Sequence, residues 1–215
     1  MPWYHKLWPW GREEREANAK RVIVTDCPVR KSRGAFERSG ILKASLEAGA
    51  EVIIPEESSH RTVEISPRLG TWDVLEPFVQ ATKIINVPVA KHHRETEATG
   101  GMKNWIGITN KLRFLFHNDI DKSIAELAAL MRPTLTIMDA SRVLMRHGPQ
   151  GGNVGDVKQL NTVAACFDPV AIDAWGCSLL GATPDKLPGF IGLAQKKGLG
   201  DPDFKRLSPV EIKTG

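Results

Sequence analysis

The amino-acid sequence predicts an α/β fold, in which helices flank a mixed, mostly parallel sheet within a single domain. Short β-branched apolar runs alternate with amphipathic stretches, an order typical of parallel strand–helix–strand crossover units. The chain has 215 residues, of which 41% are hydrophobic and 25% are charged. A chain of this length and composition can bury a core without disulfides or structural metal ions.

Each predicted element follows from its local pattern of apolar residues, turn residues and caps. Strands are expected at residues 21–25, 51–54, 62–65, 83–87, 135–138, 161–167 and 210–213. Helices are expected at residues 12–20, 36–48, 72–81, 121–131 and 168–180. Asp168 and Pro169 open the last of these as N-cap and first helical residue, and Thr183-Pro184 repeats the signal. The irregular segment 89–117 is interpreted as a functional loop with short helical pieces.

The first residues are rich in aromatic side chains and contain two prolines. Trp3, Tyr4, Trp8 and Trp10 lie in this segment, which cannot be one regular helix. It is interpreted as an arm that packs on its own domain, or as one that docks on a partner chain or a membrane interface. We therefore expect residues 1–19 to form an arm with a short helix, and residues 20–215 to form the α/β domain.

Charge and cysteine content restrict the function classes. The formal net charge is +4, which favours anionic ligands but is weak evidence for nucleic-acid binding. No stretch approaches the ~20 apolar residues of a membrane-spanning helix. Cys27, Cys166 and Cys177 are widely spaced without a C-x-x-C pair, so the sequence contains no zinc ribbon and no self-contained iron–sulfur motif. This cysteine content indicates reduced thiols, which predict a cytoplasmic protein. Cys166 and Cys177 are expected in the core.

A basic run, Lys91, His92 and His93, is expected just past the end of a strand. Ligands of open α/β sheets bind beyond the carboxyl ends of the strands. Adjacent side chains on an extended backbone point in opposite directions, so one of the two histidines is expected to face the site. A neutral imidazole there could bind a metal ion or transfer a proton. The alternative is a histidine pair on a surface loop, without a ligand.

A second group of candidates follows the histidines. Gly100, Gly101, Lys103 and Asn104 could form a cradle for an anion, because glycine lets backbone N–H groups approach and lysine adds a positive charge. The alternative is a glycine turn with a solvated lysine. His117, after an apolar run, is expected either to reach the same site or to bond a buried backbone group.

Three aspartates are also considered. Asp139 is expected at the end of a strand, where it could orient a histidine, hold a metal ion or cap a turn. Asp168 is interpreted as a helix N-cap. Asp173 is expected to face water from the middle of the same helix.

Taken together, several short motifs resemble the domain-of-unknown-function family 362 (DUF362) over roughly residues 20–200. They are Asn86-Val87-Pro88, Lys91-His92-His93, Gly101-Met102-Lys103-Asn104, Ile106-Gly107, the run Arg132 to Asp139, His147-Gly148-Pro149 and the run Asp168 to Ala174. The glycine–lysine motif after a histidine-bearing loop is also similar to the nickel-pincer lactate racemase, at the level of fold analogy alone.

Many members of the family carry ferredoxin-like modules, so the resemblance implies a link to iron–sulfur redox metabolism. Members often begin with a further strand–helix segment, which is not matched here. We expect either that the sheet lacks an edge or that the arm or a partner replaces that segment. The partners expected are a second copy of the chain or an iron–sulfur protein.

Two functional hypotheses follow, and neither decides whether the protein is an enzyme. In the first, the domain holds an anionic small molecule or a metallocofactor. Lys103 and His92 would be catalytic in this site, with the remaining residues as ligand-binding or metal-binding groups. The ligand-binding residues would be Gly100, Gly101, Asn104 and Lys91, and a metal ion would bind His92, His93 and His117. In the second hypothesis, the protein is a non-catalytic interaction subunit that docks through its Trp-rich arm.

Overall fold

The computed structural model describes residues 19–28, 32–109, 111–149 and 151–213, apart from the side chain of Lys111. The aromatic residues of the arm, and all but the end of the helix predicted at 12–20, lie outside the described residues. The strands are β1 Ile23–Thr25, β2 Glu51–Ile53, β3 His60–Ser66, β4 Gly70–Leu75, β5 Ile85–Asn86, β6 Val89–His93, β7 Glu97–Thr99, β8 Leu135–Leu144 and β9 Val157–Cys166. The α-helices are α1 Ser32–Ser39, α2 Ile41–Glu47, α3 Glu76–Gln80, α4 Gly101–Asn104, α5 Ile120–Met131, α6 Pro169–Leu179 and α7 Gly189–Lys196.

The chain forms two compact units, and a parallel crossover lies in the first. Of the described residues, this unit comprises 19–28, 32–63, 72–80, 107–109 and 111. β1 and β2 pair in parallel, with Val24 opposite Val52. The two helices α1 and α2 connect these strands, so the predicted strand–helix–strand order is confirmed.

The connection between β1 and β2 differs from the prediction at one residue. The single helix expected at residues 36–48 is divided into α1 and α2 by Gly40, whose φ is +80°. A residue in the left-handed region cannot continue a right-handed helix, and glycine adopts that conformation at little cost. The apolar period on both sides of Gly40 hides this break.

β3 and β4 form a separate two-stranded sheet. The strand predicted at residues 62–65 is confirmed as part of β3. The helix predicted at residues 72–81 is wrong in its first half, because β4 occupies that half and α3 follows it. Val74 and Leu75 are fully buried, and Val74 forms an isolated β-bridge with Thr109. Pairing with distant residues decided the outcome over a weak local pattern.

The second unit contains a five-stranded mixed sheet built around β8. Residues 64–71, 81–106 and 112–215 belong to this unit. β5 and β6 each pair with β8 in parallel, whereas β9 pairs with β8 and β7 pairs with β6 in antiparallel fashion. Helices pack on this sheet, so the predicted α/β class with a mixed sheet is confirmed.

The core of the second unit lies between the sheet and α6, which contacts β7, β8 and β9. The buried side chains of one apolar cluster are Ala90, Met138, Ala140, Val143 and Ile172. β8 is longer than the predicted strand at 135–138, because it continues to pair with β9 as far as Leu144, with a register shift between Ala140 and Arg142. Asp139 is therefore in the middle of a strand and not at its end.

Helix predictions in the second unit have mixed outcomes. The helix at residues 121–131 is confirmed as α5, and its expected face of Ile124, Leu127 and Ala128 is buried. Thr183-Pro184 opens no helix, since α7 begins only after Pro188. Residues 210–213 form no strand.

Asp168 caps α6 as the sequence predicts. One side-chain oxygen accepts hydrogen bonds from the N–H groups of Val170 and Ala171, both at 2.8 Å, and the other accepts from Asp201 N–H at 2.9 Å. We expect Asp168→Ala to lower the free energy of unfolding by about 1–2 kcal/mol, the usual cost of losing such a cap. Urea unfolding measures this loss. Asp168→Asn keeps a side-chain oxygen and is expected to lose less than half as much; equal losses would contradict a capping role.

Candidate functional site

The hairpin of β6 and β7 separates the two adjacent histidines. His93 is 5% exposed, and its Nδ1 accepts hydrogen bonds from the N–H groups of Glu95 at 3.2 Å and Thr96 at 3.4 Å. His92 is half-buried, and its Nδ1 accepts from Gly148 N–H at 3.1 Å. Both histidines lie within β6, and not beyond a strand end as the sequence suggested. Different chain segments therefore hold the two rings.

A buried carboxylate holds the start of α4. The N–H groups of Gly101 and Met102 donate to the two oxygens of Asp173, at 2.5 and 2.9 Å. Asp173 is 1% exposed, so the expectation that it faces water is wrong. A Cβ atom on Gly100 would collide with this carboxylate, which explains a glycine there. The backbone N–H groups that were expected to bind an external anion thus donate to the side chain of Asp173.

Burial has a measurable consequence for Asp173. It raises the pKa of the Asp173 carboxyl to about 7, although the hydrogen bonds from Met102 and Gly101 act in the opposite direction. Asp173 therefore changes charge near neutral pH while it anchors the helix that carries Lys103.

Asn104 belongs to the same buried support. Asn86 Nδ2 donates to the carbonyl oxygen of Gly101 at 2.8 Å, and Asn104 Nδ2 donates to Asn86 Oδ1 at 2.9 Å. Asn86 is 3% exposed. This network joins β5 to α4, so the structure assigns Asn104 a bond within the protein. The sequence singles out Asn86 only as part of a motif of the family that it resembles.

Lys103 is a buried cation at the centre of the candidate site. The residue as a whole is 8% exposed. Burial is the main cause that lowers the pKa of Lys103 to about 8; nearby Lys91 lowers it further, whereas Glu95 and Asp121 raise it. No residue in the described part of the chain accepts a hydrogen bond from its ammonium group, or forms an ion pair with it. The negative charges around Lys103 are therefore too few or too distant to offset its burial.

Glu95 and His117 form a pair beside Lys103. Glu95 Oε2 and His117 Nδ1 are in direct hydrogen-bond contact, and the side chains are 51% and 38% exposed. The hydrogen bond from His117 is the main cause that lowers the pKa of Glu95. The His117 ring lies 6.2 Å from the His93 ring, between centroids. Glu95 is not among the site residues predicted from the sequence, although a carboxylate in the turn after two histidines is a usable signal.

His93 is a neutral hydrogen-bond donor in this cluster. Burial lowers its pKa to about 4, followed by the charge of Lys103, while Glu95 acts in the opposite direction. The lone pair of Nδ1 faces two backbone N–H groups, so the ring proton is on Nε2. At neutral pH, His93 can therefore donate from Nε2 but adds no charge to the site.

The metal site expected at His92, His93 and His117 is not assembled. Among the described residues, no group of three or more His, Cys, Asp or Glu side chains is placed to hold a metal ion. His92 lies with Gly148, away from this cluster. Asp139 accepts a hydrogen bond from Ser141 N–H at 2.7 Å, a local backbone contact.

The cysteines are free thiols. Cys177 is buried, as the sequence predicts, and its burial raises the pKa of the thiol. Cys166 is only partly buried and packs at the margin of the core. Cys27 is in the first unit.

The candidate site lies within a region that matches a known protein family. The model of the family described as "Domain of unknown function (DUF362)" matches residues 12–178. The chain belongs to this family. The match includes β5 to β9, α4, most of α6 and every residue of the candidate site. The resemblance inferred from the sequence motifs is therefore confirmed, while the family's description names no activity.

A curated relative comes from Synechocystis sp. (strain ATCC 27184 / PCC 6803 / Kazusa). This thylakoid-associated protein, sll1697, is 25% identical over 182 residues, which are 81% of this DUF362 chain and 55% of the relative. The chain thus spans about half the length of that relative. No solved structure matches this chain. In the described ranges, no helix has both the length and the apolar character needed to cross a membrane. The expected cytoplasmic location stays a prediction.

Proposed function

We propose that the second unit binds a small anionic ligand at Lys103, with His93 as a second hydrogen-bond donor and the Glu95–His117 pair beside it. The observation that carries this proposal is the burial of Lys103 without an acceptor for its ammonium group among the described residues. Lysine is almost never buried unless it is paired, because removing a charge from water is costly. A bound anion would supply the missing partner.

The chemistry of the donors favours a carboxylate or a similar compact anion. Lys103 provides a point charge with three N–H donors, and His93 provides one N–H group. Lys91 adds positive charge nearby, since it lowers the pKa of both Lys103 and His93. Glu95 forms its hydrogen bond with His117 and does not form an ion pair with Lys103. The positive charge of Lys103 therefore remains available to a ligand.

The Glu95–His117 pair adds a group that could exchange a proton with the ligand. Glu95 contacts Nδ1 of His117 and so leaves Nε2 available. A carboxylate that fixes one ring nitrogen of a histidine orients the other as a proton acceptor or donor, which is the arrangement of carboxylate–histidine dyads in enzymes. We therefore include proton transfer by His117 in the proposal.

The proposal retains parts of the earlier hypotheses. A metallocofactor and a link to iron–sulfur redox metabolism have their support in the family resemblance alone. The alternative of an interaction subunit depends on the Trp-rich arm, which lies outside the described residues. An anionic small molecule is the occupant that the described contacts favour.

Acetate, the simplest stable carboxylate probe, tests this function. With ¹³C-labelled lysine, one side-chain signal is expected to move saturably with acetate near pH 7, at an ionic strength held constant with chloride. Binding needs the ammonium form, so affinity should fall about tenfold per pH unit above the Lys103 pKa of about 8. No saturable shift, or an affinity unchanged between pH 7 and pH 10, would contradict the proposal.

A further inference from the structure

A second basic site lies on the other side of β6, around the glycine-rich segment that follows β8. A cavity of about 570 Å³ is lined by His92, Arg94, Arg146, His147, Gly148 and Gly151. No carboxylate is among these lining residues. The site is separate from Lys103, because His92 faces this cavity while His93, its neighbour on the strand, faces the Lys103 cluster.

One buried carboxylate behind the cavity fixes two of its basic side chains. Asp156 is 4% exposed. It accepts hydrogen bonds from Arg146 Nε at 2.5 Å, from His147 Nδ1 at 3.0 Å and from Asn153 N–H at 3.1 Å. Among the described residues, Arg146 bonds in this way through Nε alone, which leaves both terminal nitrogens of its guanidinium for a ligand. Nε2 of His147 bonds to none of the described residues and, while Nδ1 donates to Asp156, is a hydrogen-bond acceptor in the neutral ring.

The other two basic groups are positioned by the backbone of Gly148. Its N–H donates to Nδ1 of His92, so the ring proton of His92 is on Nε2. Its carbonyl oxygen accepts from the N–H of Arg94 at 3.2 Å. A Cβ atom on Gly148 would collide with the His92 carbonyl, so only glycine permits this close approach. The exposed Arg94 guanidinium has no partner among the residues that the structure describes.

The glycine-rich segment also has an unusual backbone. His147 has a φ of +60°, a conformation uncommon for residues other than glycine. Such a conformation costs about 1–3 kcal/mol and persists only when its surroundings hold it, often at ligand sites. The bond between His147 and Asp156 supplies that constraint and holds the imidazole at the cavity.

We propose that this cavity binds the phosphate group of a small phosphorylated molecule. Two guanidinium groups and the Nε2–H of His92 offer donors from several directions, which suits a tetrahedral anion, and arginine pairs with phosphate through more than one N–H bond. Nε2 of His147 can accept a hydrogen bond from a protonated oxygen of the ligand. The buried carboxylate of Asp156 already accepts hydrogen bonds from Arg146 and His147. The volume exceeds that of a phosphate ion and lies in the usual range for small-molecule pockets, so the rest of the ligand also has room.

Inorganic phosphate is the probe for this site, measured by calorimetric titration of the full chain at constant ionic strength. Wild-type protein is expected to bind it saturably. Arg94→Gln should weaken binding at least tenfold without lowering the melting temperature, because no described residue pairs with the Arg94 side chain. Arg61→Gln, which removes an exposed charge elsewhere, should leave the affinity within twofold of the wild type.

The same titration distinguishes this site from the Lys103 site. Lys103→Met should leave phosphate affinity within twofold of the wild type. Loss of phosphate binding in Lys103→Met but not in Arg94→Gln would place the ion at Lys103 and overturn the proposal. Absence of saturable binding to the wild type, or equal binding in wild type and Arg94→Gln, would also overturn it.

Discussion

Asp173→Ala is expected to lower the free energy of unfolding by about 2–5 kcal/mol. The substitution leaves the buried N–H groups of Gly101 and Met102 without an acceptor, and each such group costs about 1–3 kcal/mol. It also leaves space beside Gly100, whose close contact with the carboxylate is lost. Urea unfolding at pH 6 measures the change.

The pH dependence gives a second measure of the same residue. Its folded pKa of about 7 lies above the unfolded value of 3.8. The folded state therefore binds the proton more tightly, and this contribution to stability is complete below about pH 4 and is lost as the pH rises to about 7. Asp173→Asn cannot ionise. We expect the stability of the wild type, relative to Asp173→Asn, to fall by a few kcal/mol at most across this window.

Asp185→Ala is the matched control for Asp173→Ala. Asp185 is an exposed carboxylate in the turn that follows α6, and removing it should change stability by no more than about 0.5 kcal/mol. If Asp173→Ala were as stable as this control, the carboxylate would not be the anchor of α4. Asp173→Asn should lie between them, since its amide oxygen can still accept one of the two bonds.

The sequence predicted correctly those helices that are specified by neighbouring residues, such as a regular apolar face or an N-terminal cap. Helix α5 has a regular apolar face, and α6 has its cap in the adjacent residues Asp168 and Pro169, so both were predicted correctly. Gly40 breaks a continuous apolar period, and β4 gains its conformation from pairing with β3. Neither event can be deduced from a window of a few residues.

The candidate site was only partly predictable for the same reason. His93, Lys103 and His117 were selected from residue type and position, and the structure brings them together with Glu95. The partners of Asp173 are 71 and 72 positions away, so its burial cannot be read from the helix that carries it. The separation of His92 from His93 follows from strand alternation, but the groups that each ring contacts depend on the tertiary fold.

Lys103→Met is expected to stabilise the protein and, at the same time, to weaken acetate binding by at least 100-fold. Burial depresses the folded pKa of Lys103 to about 8, below the ordinary 10.5, so the folded state disfavours the charged form. This cost is fully present below about pH 8 and disappears as the pH rises towards 10.5. A methionine of similar length removes the charge and keeps the apolar contacts, which should raise the free energy of unfolding at pH 7 by about 1–3 kcal/mol.

Urea unfolding of both proteins at pH 7 and pH 10.5, together with acetate titrations at pH 7, measures these effects. The stability difference between Lys103→Met and the wild type should shrink at the higher pH. Lys122→Met is the control, because it removes an exposed lysine that pairs with Asp119 at the surface and should change neither quantity appreciably. A Lys103→Met protein that is less stable and still binds acetate would show that the ammonium has a structural role. A Lys103→Met protein that is more stable and no longer binds acetate would show that the charge of Lys103 lowers the stability of the fold. Such a charge is expected of a residue that is retained to bind a ligand.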